Sequence, residues 1–403
     1  MSGLDAVRAL WRLVAPPALR RKAAPAIHEG LRRWTASRLA PASAVPAPGP
    51  IRVVGLFAGS HGIAASAQLC ARALEALGAP VERVGVVTGY DRAAHLSGPT
   101  GAAAWIFHVN PPELPLALAS LGPERIVGPR YGFWAWELPA APASWLRDAS
   151  FLTEVWAPSR YTAQALAGAT APVRVVPHPL FLADYEAVVP APRIHAFQAV
   201  ALLDFKSSAA RKNPMGAVAA FVRAFGDDPA ARLTIKAQNG DLFPQALAAL
   251  RAACPANVEV VDEVWPYARV MSLIAGADVL VSLHRAEGFG LTMAEAMALG
   301  TPVVATEFSG NVDFMDETCA LMVPAGRVAV EDPQGVYAGQ AWAEPDLAAA
   351  AAALTRLRLD PALARRLAAA ARARVAERLS PEAWLLSLPE SLQTSVVRAA
   401  AGR

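Results

Sequence analysis

Short apolar runs alternate with stretches whose apolar residues recur every three or four positions, from residue 51 almost to the end of the chain. The runs have the pattern of strands buried on both faces, and the longer stretches that of helices. Ile51-Arg-Val-Val-Gly-Leu-Phe57 opens a first series as a strand, followed by the tight loop Ala58-Gly-Ser-His-Gly62 and a helix over 63–77. Further strands are expected at 81–87, 103–108 and 125–128, with a helix at 115–121. A strand at 154–158, a helix at 160–167 and a strand at 173–179 close this series. A second begins near residue 194, with strands at 197–203, 232–236 and 258–261 and helices at 214–225, 244–254 and 265–275. Residues 346–377 and 381–400 then read as helices. Strand and helix in alternation imply parallel, doubly wound sheets, here two in succession.

The unit that ends the second series is the most informative. It runs Ser282-Leu-His-Arg-Ala-Glu-Gly-Phe-Gly-Leu-Thr-Met-Ala-Glu-Ala-Met-Ala-Leu-Gly-Thr-Pro-Val-Val-Ala-Thr306. With the apolar Val279-Leu-Val281 before it, it reads as strand, glycine loop, helix over 291–299, turn and strand. Gly288 and Gly290 lack a Cβ, so the backbone of Glu287-Gly-Phe-Gly290 can come close to a ligand. Gly300 suits a left-handed helix cap, and Pro302 stands just beyond it. The N–H groups of Phe289, Gly290, Leu291 and Thr292 start a helix unpaired, which makes a site for a diphosphate. Glu295, one turn in, would accept hydrogen bonds from hydroxyl groups.

This block, with glutamates eight positions apart at Glu287 and Glu295, resembles the donor-site signature of glycosyltransferase family 4. Those are retaining enzymes of the GT-B fold that use nucleotide-sugar donors. The resemblance implies an α/β chain with two Rossmann-like domains, 51–190 on the acceptor side and 191–378 on the donor side, facing a cleft. Residues 379–403 would form a C-terminal helix packing back on the first domain. By the same resemblance Glu287 would hold the sugar ring and Glu295 the ribose hydroxyls. Lys212, in Arg211-Lys-Asn-Pro214, would sit at a helix start and neutralise the departing diphosphate. The family's arginine five positions earlier is Ser207 here, which leaves Arg211, Lys206 or neither to supply a second charge.

Tyr131-Gly-Phe-Trp-Ala-Trp-Glu-Leu-Pro139 stands where many relatives keep a histidine near the reacting sugar. Glu137 would bind an acceptor hydroxyl. Trp134 and Trp136 would either offer a carbohydrate platform or fill the domain core. Gly59, in the loop after the first strand, would approach donor phosphate or acceptor. His108 would end a strand at the cleft or serve the core, and His284 or Arg285 would touch the transferred sugar. The chain has no Asp-x-Asp triplet, so a metal-independent mechanism is expected, with the helix dipole and Lys212 acting in place of a cation. No cofactor is expected besides the donor substrate.

Composition narrows the remaining classes. The 403 residues suit two or three domains, and 54% hydrophobic against 18% charged residues supply large cores. No apolar run of membrane-spanning length stands out, and Asp5, Arg8 and Arg12 interrupt the first apolar stretch, so neither a membrane helix nor a secretory signal is expected. Cys70, Cys254 and Cys319 are few and far apart, which points to a reducing, cytoplasmic compartment without disulfides or zinc. The net charge of +3 is uneven: residues 1–50 hold eight Arg and Lys against Asp5 and Glu29, hence +6, leaving −3 for the rest. Trp11 and Trp34 lie among those cations, so residues 1–40 would rest on the anionic inner face of a membrane or pack on the body. A Pro/Ala linker follows at 40–50, and no nucleic-acid motif occurs. The expected function is a retaining hexosyltransferase acting on a glycan or lipid-linked acceptor. Alternatives are an epimerase or phosphorylase on the same fold, or a non-catalytic membrane-associated scaffold, which Ser207 weakly favours and the intact Glu287, Glu295 and Lys212 weigh against.

Overall fold

The computed structural model describes residues 17–46, 49–57, 62–86, 102–333, 335 and 337–401. Two parallel six-stranded sheets, each flanked by helices, form two Rossmann-like lobes. The first contains β1 (Ile51–Gly55), β2 (Val81–Gly85), β3 (Ala104–His108), β4 (Arg130–Phe133), β5 (Glu154–Ala157) and β6 (Val173–Val175), in the order β2-β1-β3-β4-β5-β6. The second contains β7 (Phe197–Asp204), β8 (Ala231–Gln238), β9 (Val258–Asp262), β10 (Val279–Ser282), β11 (Val303–Thr306) and β12 (Leu321–Val323), in the order β12-β11-β10-β7-β8-β9. β1, β3, β4, β5 and β11 are buried along their whole length, and in β11 (Val-Val-Ala-Thr) and most of β1 and β3 this shows as an apolar run.

One predicted strand is displaced. Residues 123–125 form a 3-10 turn, Pro123–Arg125, and the strand begins instead at Arg130. Pro123 and Pro129 have no N–H for a ladder, and Gly128 sits at φ 110°, so the chain turns before it can pair. The Tyr131-Gly-Phe133 segment is therefore the strand itself. A second difference is an antiparallel hairpin outside both sheets, β13 (Ala325–Ala329) with β14 (Ala341–Pro345), which the periodicity did not predict.

In each sheet the order reverses once, between β1 and β3 and between β7 and β10. Loops leaving the carboxyl ends of such neighbouring strands diverge to opposite faces and open a crevice, where open α/β sheets bind ligands. In the second lobe the loops after β7 and β10 carry Arg211, Lys212 and Glu287.

The chain crosses between lobes twice. Helix Pro361–Leu379 buries Ala371, Val375 and Leu379 in the second lobe, and the Leu379 carbonyl accepts from Leu180 N–H at 2.6 Å. The chain then turns back, and Trp384, Leu388, Leu392 and Val396 enter the first lobe's core beside Ile51, Cys70 and Trp156. At the other end, helix Pro17–Ala36 lies on helix Leu114–Leu121, with Thr35 fully buried and its hydroxyl 3.4 Å from the Pro115 carbonyl. Among the described residues no helix is long and apolar enough to cross a membrane.

Because Trp384 is 1% exposed inside the first lobe's core, Trp384→Ala is expected to destabilise that lobe by about 3–5 kcal/mol. Domain-resolved hydrogen exchange checks this. Equal loosening of both lobes, or none, would refute the packing argument.

Candidate active site

Two tight turns position the cations that follow β7. Ser208 sits in the left-handed region (φ 65°), and its Oγ accepts from Arg211 N–H at 3.2 Å, starting the short helix Ala209–Lys212. Asn213 (φ 52°) then caps helix Pro214–Phe225 by accepting from Gly216 N–H at 3.1 Å, and its Nδ2 reaches the Leu283 carbonyl at 2.9 Å. Lys212 thus ends one short helix, two residues before the next begins, rather than opening a helix as expected.

Both cations meet Glu287, which stands on the loop after β10. Lys212 Nζ lies 2.5 Å from Glu287 Oε1, and an Arg211 guanidinium nitrogen lies 3.2 Å from Oε2. Arg211 is 3% exposed, with its Nε donating to the Ser207 carbonyl at 3.2 Å and another nitrogen to the Ala286 carbonyl at 2.7 Å. Of the candidates for the charge absent at Ser207, Arg211 is the one brought to Glu287. Burial alone would raise the Glu287 carboxyl, but Lys212 and Arg211 outweigh it and hold it at about 2. Glu287 is therefore an anion throughout the neutral range. It can accept hydrogen bonds from hydroxyls but is too weak a base to remove their protons.

The loop bearing Glu287 is braced from behind. Ser309 Oγ accepts from Glu287 N–H at 2.8 Å, and Gly310 N–H donates to the Glu287 carbonyl at 2.9 Å. A Cβ on Gly310 would lie 2.3 Å from the Gly288 carbonyl oxygen, so only glycine fits there. Helix Leu291–Leu299 follows the loop and closes on Gly300 in the left-handed conformation (φ 76°), the bounds the sequence predicts. Among the described residues, the N–H groups of Phe289, Gly290, Leu291 and Thr292 have no hydrogen-bond partner, as free helix-start donors require.

Glu295 stands outside this cluster. Its Oε1 accepts from Tyr267 Oη at 2.7 Å, and Tyr267 Oη lies 3.3 Å from Tyr185 Oη. Burial pushes the Glu295 carboxyl up to about 7, with only the Tyr267 hydrogen bond opposing. The two glutamates of one sequence motif thus differ in ionisation because one faces cations and the other does not.

The first lobe closes directly over the loop. Ser159 Oγ donates to the Gly288 carbonyl at 2.6 Å and Thr162 Oγ1 to the same oxygen at 3.2 Å. Arg160 N–H donates to Asp313 Oδ2 at 2.6 Å. Glu137, from the first lobe, accepts from Tyr337 Oη of the second at 2.9 Å, which puts it on the Arg211 side of the site. Tyr337, Ser159 and Thr162 were not singled out from the sequence. The turn-rich stretch between the short runs 325–330 and 341–345 was the one signal for the hairpin that carries Tyr337.

Other candidates fall elsewhere. Gly59 lies outside the described residues. Trp134 is fully buried in the first lobe's core, so it is no platform; Trp136 is half-buried, edge-on to Trp145 and Tyr337. His284 is fully buried, with Nε2 3.1 Å from the Phe308 carbonyl, and Arg285 is paired with Glu344 at 2.8 Å, so both serve the scaffold. His108 faces a void too small for a water molecule, its Nδ1 2.8 Å from Ser66 Oγ, and burial lowers it to about 3.

Residues 210–335 match the family model described as Glycosyl transferases group 1, a span that holds Arg211, Lys212, Glu287 and Glu295. No curated protein sequence matches the chain. Solved structures share its fold at low identity. Sucrose-phosphate synthase from Thermosynechococcus elongatus is 18% identical with a TM-score of 0.62, over 88% of this chain and 99% of that one. HepE from Anabaena, solved with UDP and glucose, is 13% identical with a TM-score of 0.55, over 88% and 99%. TarM from S. aureus, solved with fondaparinux, alpha-GlcNAc-glycerol and UDP, is 14% identical with a TM-score of 0.51, over 73% of this chain. The chain spans about half the length of the TarM structures it matches. The fold is the two-lobed GT-B fold, and residues 210–335 are similar to group 1 glycosyl transferases.

The Glu295 environment predicts a pH effect. A folded-state value of about 7, above the 4.5 of a free glutamate, gives stability that is full below 4.5 and lost as pH rises through 7. Glu295→Gln, which cannot ionise, is expected to melt with the parent at pH 4 and above it at pH 8, by on the order of 3 kcal/mol. Parallel melting profiles across that range would contradict the assigned environment.

Proposed function

We propose that this protein is a retaining hexosyltransferase of glycosyltransferase family 4, moving a hexose from a nucleotide-diphosphate sugar to a hydroxyl of a glycan or lipid-linked acceptor. The observation that carries the reading is the Arg211–Lys212–Glu287 cluster, beside unpaired helix-start N–H groups at the switch point of a group 1 domain. Lys212 and Arg211 supply positive charge beside the glycine loop, and the free amides add donors for a diphosphate. Glu287 would accept hydrogen bonds from the sugar hydroxyls, and Glu295 with Tyr267 from the ribose.

In the reaction the acceptor oxygen forms a bond to the anomeric carbon on the face the diphosphate is leaving. The bond to the diphosphate oxygen breaks, its electron pair stays with that oxygen, and the acceptor proton passes to the diphosphate. No protein nucleophile is required, and Glu287, held anionic, suits electrostatic support of the electron-poor sugar. The positive charge that a metal would supply comes in this scheme from Lys212, Arg211 and the helix start. Glu137, across the gap, would receive the acceptor hydroxyl. The closed contacts of Gly288 with Ser159 and Thr162 support a cycle in which the lobes part to admit donor and close to exclude water.

UDP-glucose occupies one HepE structure, which makes it the first donor to try. Calorimetric titration with UDP, GDP, ADP and TDP, followed by turnover of the matching sugar, tests the proposal. Glu287→Gln and Lys212→Ala are each expected to lower turnover by about a hundredfold or more, and Lys212→Ala to weaken diphosphate binding as well. A parent that binds none of the diphosphates, or variants that match the parent, would overturn it.

A cytoplasmic location and contact of residues 1–40 with an anionic membrane belong to the same proposal. Support comes from three unpaired cysteines, the basic charge of that stretch, and the exposed Trp34 stacked under Arg38. Co-sedimentation with phosphatidylserine vesicles, lost above about 0.5 M salt, is expected; equal recovery with neutral vesicles would contradict an electrostatic surface.

A further inference from the structure

The β13–β14 hairpin is an arm of the second lobe that reaches the first at two points. Gln340 accepts from Ala140 N–H at 2.8 Å through Oε1 and donates to the Ala140 carbonyl at 2.9 Å through Nε2. Tyr337, 7% exposed, donates its hydroxyl to Glu137 Oε2 at 2.9 Å and packs against the edge of Trp136, ring centroids 5.9 Å apart. The arm is tied to the loop that carries the cations, because Asp332 accepts from both Ser208 Oγ (3.0 Å) and Tyr337 N–H (3.2 Å). The Arg211 guanidinium lies 6.0 Å from the centre of the Tyr337 ring. Leu138, Ala286, Tyr337 and Trp342 fill a small apolar core between these parts. Among the described residues Glu137 Oε1 has no hydrogen-bond partner. The group 1 match ends at residue 335, just short of Tyr337.

We propose that Tyr337 is a positioning residue: from its arm it grips one oxygen of Glu137, holding that carboxylate beside Arg211 with Oε1 left for the acceptor hydroxyl. This inference rests on the transferase function proposed above. The hydroxyl is well made for the task, since burial first and Glu137 second hold Tyr337 protonated far above neutral pH. A carboxylate on a flexible turn would sample many orientations; a buried hydroxyl bonded to one oxygen selects one. Orientation then depends on the lobes being together, so Glu137 is in place only when the arm is seated.

Tyr337→Phe keeps the ring and removes the grip. It is expected to lower kcat for UDP-glucose hydrolysis about tenfold while leaving the UDP Kd within about twofold of the parent. In a double-mutant cycle the same change in a Glu137→Ala background, which has no acceptor for the hydroxyl, should cost nothing further. Additive losses, unchanged turnover, or an equal loss of UDP binding would overturn the positioning role. A parent that binds none of UDP, GDP, ADP and TDP would instead sink the transferase reading, and a parent that prefers another of them is assayed with that diphosphate and its sugar. The tether is then read by hydrogen exchange: amides 135–141 should exchange faster in Tyr337→Phe and in Gln340→Ala, and parental rates in Tyr337→Phe would refute the arm itself.

Discussion

The carboxylate of Glu287 sits between Arg211 and Lys212, and that three-charge contact joins the loops leaving the two strands at which the second sheet reverses its order. Arg211 is nearly sealed from water, so a lone guanidinium there would be costly. Glu287 and two backbone carbonyls make its burial tolerable. The same contact keeps Glu287 ionised despite its own burial. Everything near it follows as support: Ser309 and Gly310 brace the Glu287 backbone, and Asn213 ties the cation-bearing turn to Leu283.

A consequence is the division of labour between two glutamates of one motif. Glu287 meets cations and is held at about 2, whereas Glu295 meets tyrosine hydroxyls in an apolar setting and rises to about 7. The chemistry that each can perform is set by neighbours drawn from other elements, Arg211 and Lys212 for one, Tyr267 and Tyr185 for the other. A fixed anion suits a developing positive centre, while a hydrogen-bonding carboxyl suits hydroxyl recognition.

The lobes are joined by more than a hinge. Leu180 and Leu379 mark adjacent crossings, the final helices complete the first lobe's core, and the Tyr337 arm and the Gly288 carbonyl make polar contacts over the gap. Such contacts are individually modest because water competes for each group. They can therefore hold a closed arrangement and still release it, which a binding cleft between two lobes requires.

Most of the fold was legible along the chain. Apolar runs and helical spacing gave the two doubly wound series, and Gly300 with Pro302 marked the end of helix Leu291–Leu299 because a left-handed cap is a local demand on backbone conformation. The displaced strand at Arg130 was also local, but prolines and Gly128 outweighed the apolar pattern. What the sequence could not decide was which side chains meet. Arg211 rather than Lys206 reaches Glu287, Trp134 rather than Trp136 is core, and Glu137 finds Tyr337 two hundred positions away. Periodicity reports only whether a position faces inward on its own element. Partners are chosen by how separate elements pack, and the hairpin bearing Tyr337 is too short and too exposed on β13 to leave a burial pattern in sequence.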